Sequence, residues 1–234
     1  MSNLIKKGED EATFDKPLYT PIKRRSFFMY AGATAGATAL MLAGCKDDTN
    51  NNSPGTVDLG SGDIGVLNYA YALEQLEAAF YAQIVATPYS GITADEKTAF
   101  TAIGQHEAIH RDFFKAALST NAIQPLTPIF TAINFADRTS VLTYAKTFED
   151  LGVGAYNGAG VLIKDVKYLA LAGKIVSVEA RHAAYVRDLL QAGSFSGSDV
   201  VDTDGLDQAL SITAVLTAAQ PFVQQKLSGA NVGK

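Results

Sequence analysis

Two glutamate–histidine pairs at one spacing constrain this chain more than anything else in it. Glu107 and His110 stand three apart in QHEAIH, and Glu179 and His182 stand three apart in VEARH. The chain has only three histidines, so two of the three belong to this pattern. Both pairs fall in segments whose apolar residues recur at helical steps, and in a helix a spacing of three brings two side chains onto one face. The second pair lies inside KYLALAGKIVSVEARHAAYVRDLLQ, where the face it joins is otherwise apolar. A carboxylate on a buried helix face is costly unless a cation or hydrogen bonds accompany it. The pattern therefore needs a physical reason.

The apolar periodicity predicts four long helices from Asp63 onward. Asp63 is placed to cap the first, which runs through VLNYAYALEQLEAAFYAQIV and stops before Pro88. Thr93 with Glu96 forms a capping box for the second, which continues to about Leu118. Residues 119–136 contain Pro125 and Pro128 and read as a long connection. Asp137 or Thr139 starts the third helix, and the fourth runs from near Asp165 to before Gly193. A shorter C-terminal helix is expected around Leu206 to Leu227, interrupted near Pro221. No segment sustains a two-residue alternation, so no strands are expected.

Each helix carries a carboxylate on its apolar stripe. The first aligns Leu67, Ala70, Glu74, Glu77, Tyr81 and Ile84; the second aligns Phe100, Ile103, Glu107, His110, Phe114 and Ala117. The third aligns Leu142, Ala145, Glu149, Gly152 and Tyr156, and the fourth Ile175, Glu179, His182, Val186 and Leu189. Either these faces stay exposed or cations sit among the carboxylates. A repeat favours the cations. Glu74 and Glu149 each precede a tyrosine, Tyr81 and Tyr156, by seven residues, and each such helix is followed by a Glu-x-x-His helix. Two helix pairs of one design make a four-helix bundle with a pseudo-twofold site in its middle, and the long connection supplies the single crossover.

Other residues on these helices take lesser parts. Tyr81 and Tyr156 are core aromatics within reach of hydrogen bonds to the site. Glu77, one turn from Glu74, reads as an outer-sphere acceptor or an alternative ligand. His106 is one position off the Glu107 face and is not expected to be a ligand. Gly152, Gly154, Gly158 and Gly160 weaken the third helix, which implies close packing against a neighbouring helix.

The order Glu74, Glu107-x-x-His110, Glu149, Glu179-x-x-His182 resembles the ferritin-like superfamily, whose two-metal members carry Glu, Glu-x-x-His, Glu, Glu-x-x-His. LNYAYALEQLEAAFY is also similar to the ferritin-like-domain family that includes plant desiccation-related proteins. The resemblance spans about residues 63–192. It implies an all-α, ferritin-like four-helix bundle with a long crossover between helices two and three and a short C-terminal helix. It implies that Glu74, Glu107, His110, Glu149, Glu179 and His182 hold two metal ions. Glu107 and Glu179 would bridge them, and each ion would take one histidine and one terminal carboxylate. Oxygen-rich ligands with one imidazole per ion suit iron or manganese, and four carboxylates balance two divalent ions. Open coordination positions would admit O2 or peroxide, so the expected activity is that of an oxidoreductase of ferroxidase, peroxidase or catalase-like type. The alternative is a non-catalytic, metal-binding stress protein of the desiccation-related kind.

Residues 1–45 read as an export address rather than as part of the fold. Lys23, Arg24 and Arg25 precede a weakly apolar stretch, Phe27 to Gly44, that ends in LAGC at Cys45. About 18 such residues can also just span a bilayer. RRSFF resembles a twin-arginine signal, and LAGC resembles a lipobox whose cysteine is lipidated. Lipidation of Cys45 would consume the only thiol and hold the protein on a membrane surface, on the periplasmic side or at the cell surface. With one cysteine there is no disulfide framework and no thiolate zinc cluster. Residues 46–62, KDDTNNNSPGTVDLGSG, read as a flexible tether, and 63–234 as the folded domain. A net charge of −5 without a basic stripe argues against nucleic acid as a partner. A homo-oligomer is compatible with the sequence, though a membrane tether disfavours a closed storage shell.

Overall fold

The computed structural model describes residues 55–234. The expected signal, with Arg24, Arg25 and Cys45, and residues 46–54 of the expected tether lie outside these residues. Four long helices carry the fold: α1 (Gly62–Ala86), α2 (Ala94–Leu118), α3 (Arg138–Gly160) and α4 (Val166–Leu190). α1 packs on α2 and α3 packs on α4, as expected of two helix pairs in a ferritin-like bundle. The Thr93–Glu96 capping box starts α2, and the Asp137 and Asp165 side chains cap α3 and α4. Among the described residues, no helix is long and apolar enough to cross a membrane.

α1 is the central helix. Every residue from Gly65 to Ala78 is buried, so it is covered on all sides rather than along one stripe. The crossover supplies that cover, and two amides on the back of α1 hold it there. Asn68 donates to the carbonyls of Leu59 and Asn121 and accepts from the Ile123 N–H, while Gln75 accepts from the Leu126 N–H. Buried backbone groups need such partners, which is why two polar residues two turns apart persist in an otherwise apolar helix. Phe130 and Phe135 of the crossover then pack edge-on or tilted against Phe80 of α1.

Several expectations are corrected, the absence of strands among them. The folded body begins before Asp63: β1 (Thr56–Asp58) pairs in parallel with β2 (Lys226–Ser228), and Leu59 is fully buried. Residues 56–61 are thus part of the body, because Lys226–Ser228 offers a strand for them to pair with. Asp63 does not cap α1, since Ser61 holds that position. Its two carboxylate oxygens instead accept the N–H groups of Lys164 and Asp165, each at 2.8 Å, at the entrance to α4. The C-terminal helix is only α5 (Ile212–Ala219), capped by Ser211. Upstream, Asp202 accepts two local N–H groups and Gly205 takes φ +75°, a turn that excludes helix.

Of the α3 glycines, Gly152 packs against Glu77 of α1, a neighbouring helix as expected, whereas Gly154 and Gly158 pack against an extended segment. Leu210 lies across Gly154 and Gly158, and its N–H donates to the Gly154 carbonyl at 2.8 Å. A Cβ at Gly158 would overlap the Leu210 carbonyl, whereas one at Gly160 would meet open space. Gly158→Ala is therefore expected to destabilise the protein by about 1–3 kcal/mol through backbone displacement, despite a helix-propensity gain of about 1 kcal/mol. Gly160→Ala is expected to stabilise it by about 0.5–1 kcal/mol. Urea unfolding midpoints of the two variants should move in opposite directions.

Candidate metal centre

The four helices bring Glu74, Glu107, Glu149 and Glu179 together, all with no exposed surface, and His110 and His182 beside them. His110 Nδ1 lies 2.8 Å from Glu179, 3.3 Å from Glu107 and 3.4 Å from Glu74. His182 Nδ1 lies 2.7 Å from Glu107, 3.6 Å from Glu149 and 3.8 Å from Glu179. Two four-residue groups result, each with its ligand atoms within 4.8 Å of one another. One is Glu74, Glu107, His110 and Glu179; the other is Glu107, Glu149, Glu179 and His182. Glu107 and Glu179 belong to both.

These atoms crowd one another without bonding well. Glu74 Oε2, Glu107 Oε1, Glu149 Oε2, both Glu179 oxygens and His182 Nδ1 are buried without an aligned hydrogen bond. The 2.7 Å and 2.8 Å contacts are close in distance but off the direction a hydrogen bond requires. Donor atoms converging on a point, rather than pairing, are the arrangement of ligands around a cation. Five oxygens and a nitrogen left unsatisfied in a buried site fit a metal of hard or borderline character.

The electrostatics describe the same cluster in its metal-free form. Burial first, and then the neighbouring carboxylates, push Glu74, Glu77 and Glu149 well above the usual carboxylate range. Burial also acts to raise Glu107, but the close contact with His110 and His182 and their charge outweigh it and hold it down at about 2. Burial acts to lower both imidazoles, yet the surrounding carboxylates carry His110 up to about 12 and His182 up to about 10. Without metal, two imidazolium ions are the cations of this site.

Both tyrosines hydrogen-bond carboxylates of the cluster, each across to the opposite helix pair. Tyr81 of α1 donates to Glu149 Oε1 of α3 at 2.5 Å, and Tyr156 of α3 donates to Glu74 Oε1 of α1. Seven residues along one helix is about 10 Å, too far for a hydrogen bond. Position 74 faces 156 and 81 faces 149, so α1 and α3 run antiparallel and the bonds cross between them. Each terminal carboxylate thus has one oxygen fixed by a phenol and the other free. Tyr81→Phe and Tyr156→Phe are each expected to cost about 1–3 kcal/mol, read from chemical denaturation of the metal-free protein.

Glu77 is buried, and its Oε1 would stand 3.0 Å from a Cβ at Gly152. The glycine at the matching position of α3 makes the room this extra carboxylate occupies. His106 is exposed, but its Nδ1 lies 2.9 Å from Nε2 of His182. The sequence reading set His106 aside as a ligand and missed this contact. Its one signal was a histidine on the α2 flank that an antiparallel α4 brings opposite position 182.

The sequence model of the ferritin-like domain family matches residues 62–192, more than half of the chain. No curated protein matches it.

Proposed function

This chain belongs to the ferritin-like domain family, and from that premise we propose that its bundle holds two redox-active ions, iron or manganese, and uses them on O2 or peroxide. The observation that carries the proposal is the pair of overlapping ligand groups sharing Glu107 and Glu179. Each group offers three carboxylates and one imidazole Nδ1, a donor set that suits iron or manganese. Glu74 would close one position and Glu149 the other. Bound ions of this kind supply one-electron redox changes in adjacent positions.

The chain's own residues do the rest. Tyr156 and Tyr81 fix the terminal carboxylates through one oxygen each and leave the other for a cation. The fully buried carboxylates keep bulk water from the site. An apolar pocket lined by Leu67, Ala70, Leu73, Phe114 and Ala155 reaches Tyr156, whose phenol bonds Glu74. Such a wall favours a small apolar oxidant over a polar one.

The test is the metal content of the purified chain, expressed with both iron and manganese present and read by elemental mass spectrometry. It is followed by Fe(II)-dependent O2 uptake and peroxide consumption. Two ions per chain with turnover supports the oxidoreductase. Two ions without turnover leaves the non-catalytic stress-protein reading. A folded chain that stays metal-free after reconstitution overturns both. The proposal includes location: export through Arg24 and Arg25 and anchoring by lipid on Cys45. A Cys45→Ser chain should then leave the membrane fraction, and retention there would refute the anchor.

A further inference from the structure

We infer that the two metal positions are unequal, and that His106 makes the position on the His182 side the tighter one by holding that imidazole in its ligating orientation. The inference rests on the two-ion reading above. His106 and His182 meet through Nδ1 and Nε2 at 2.9 Å, with ring planes 9° apart and centroids 5.1 Å apart. That separation is about what an end-to-end N···N bond plus two ring radii requires. The rings are hydrogen-bonded in line, not stacked face to face. Nε2 of His182 is thereby turned away from the carboxylates, and Nδ1 is aimed among Glu107, Glu149 and Glu179.

The other half of the repeat lacks this partner. Glu107 matches Glu179, so His106 matches Val178, a side chain that cannot accept a hydrogen bond. Nε2 of His110 makes no hydrogen bond among the described residues; its contacts run through Nδ1. A metal-bound imidazole gains basicity and a fixed orientation from a partner on its other nitrogen, and loss of such a partner costs about 10–100-fold in metal affinity. His106 is exposed, so water could replace it in an alanine variant. Leucine keeps that water out and is the sharper substitution.

The experiment is an anaerobic Mn(II) titration of the full chain, with crystals soaked at less than one equivalent to give anomalous occupancy at each position. In the wild type, the His182-side position should fill first. In His106→Leu that step should weaken about tenfold or more while the other changes little, and His106→Gln, whose amide oxygen accepts from Nε2–H, should recover most of it. A merely structural role would show no such position-specific loss and rescue. Equal filling in the wild type overturns the inference and leaves the two-ion reading intact. Unchanged steps in His106→Leu also overturn it, and would point to Glu77 against Gly152, the other break in the repeat. A chain that binds no Mn(II) overturns the inference and the two-ion reading together.

Discussion

Replacing Glu107 and Glu179 together by alanine is expected to take the chain from about two bound ions to none, the largest single effect foreseen for this protein. Each of these carboxylates belongs to both ligand groups, so the pair removes two donors from each position at once. A peripheral pair such as Glu74 and Glu149 would remove only one donor from each. Ligand loss should also appear as lost stabilisation. A ligand bound only to the folded state at a thousandfold excess over Kd adds about 4 kcal/mol per site. The wild-type unfolding midpoint should therefore rise when Mn(II) or anaerobic Fe(II) is added, and the double variant should not respond. Alanine also leaves a cavity and deprives His110 and His182 of their charge partners, so Glu107→Gln/Glu179→Gln is the necessary companion. It keeps the volume while removing the anionic donors. Metal retained by the folded glutamine variant would refute the bridging role of these residues.

The helices and the residues gathered at their centre were legible because period and cap are local properties. Thr93 with Glu96, Asp137 and Asp165 each act on the backbone within a few residues, and the 3- and 4-residue steps put Glu74, Glu107, Glu149 and Glu179 inward. What periodicity cannot encode is the partner. Asp63 looked like a local cap, yet its partners are the N–H groups of Lys164 and Asp165, about a hundred residues on. Asn68 and Gln75 carry no local signal of their role, which is to accept the N–H groups of Ile123 and Leu126 in the crossover. The tyrosines read as within reach of the site, but the helix each one bonds across to is not written in its own spacing. The β1–β2 pair joins two three-residue segments near the two ends of the described residues, too short for any alternation to register. His106 was set aside because it is off the Glu107 face, but its nitrogen meets Nε2 of His182, on the side away from the carboxylates.

Metal uptake should release protons and weaken as pH falls. In the metal-free site, the carboxylates hold His110 and His182 protonated up to about 12 and about 10, so both are imidazolium at neutral pH. Ligation through Nδ1 requires each to lose a proton. Glu74 and Glu149 are pushed above the usual range and give up whatever protons they hold, while Glu107, held at about 2, has none to lose. Calorimetric titration with Mn(II) in buffers of different ionisation enthalpy should show roughly two or more protons released as both positions fill at neutral pH. Stability without metal follows the opposite course. Folded-state values raised above the unfolded ones stabilise fully below the unfolded pKa, and that contribution is lost as pH rises. For the two histidines the loss begins above about 6.5, and for Glu74 and Glu149 above about 4.5. Glu107 runs the other way, its contribution present above the unfolded value and lost only as pH falls toward 2. The metal-free protein should thus weaken from about pH 5 to about pH 8 while the loaded protein gains. The gap between their unfolding midpoints should widen steadily over that range. A constant gap would show that the imidazoles are neutral before metal arrives, and that the carboxylates around them carry their burial by some other means.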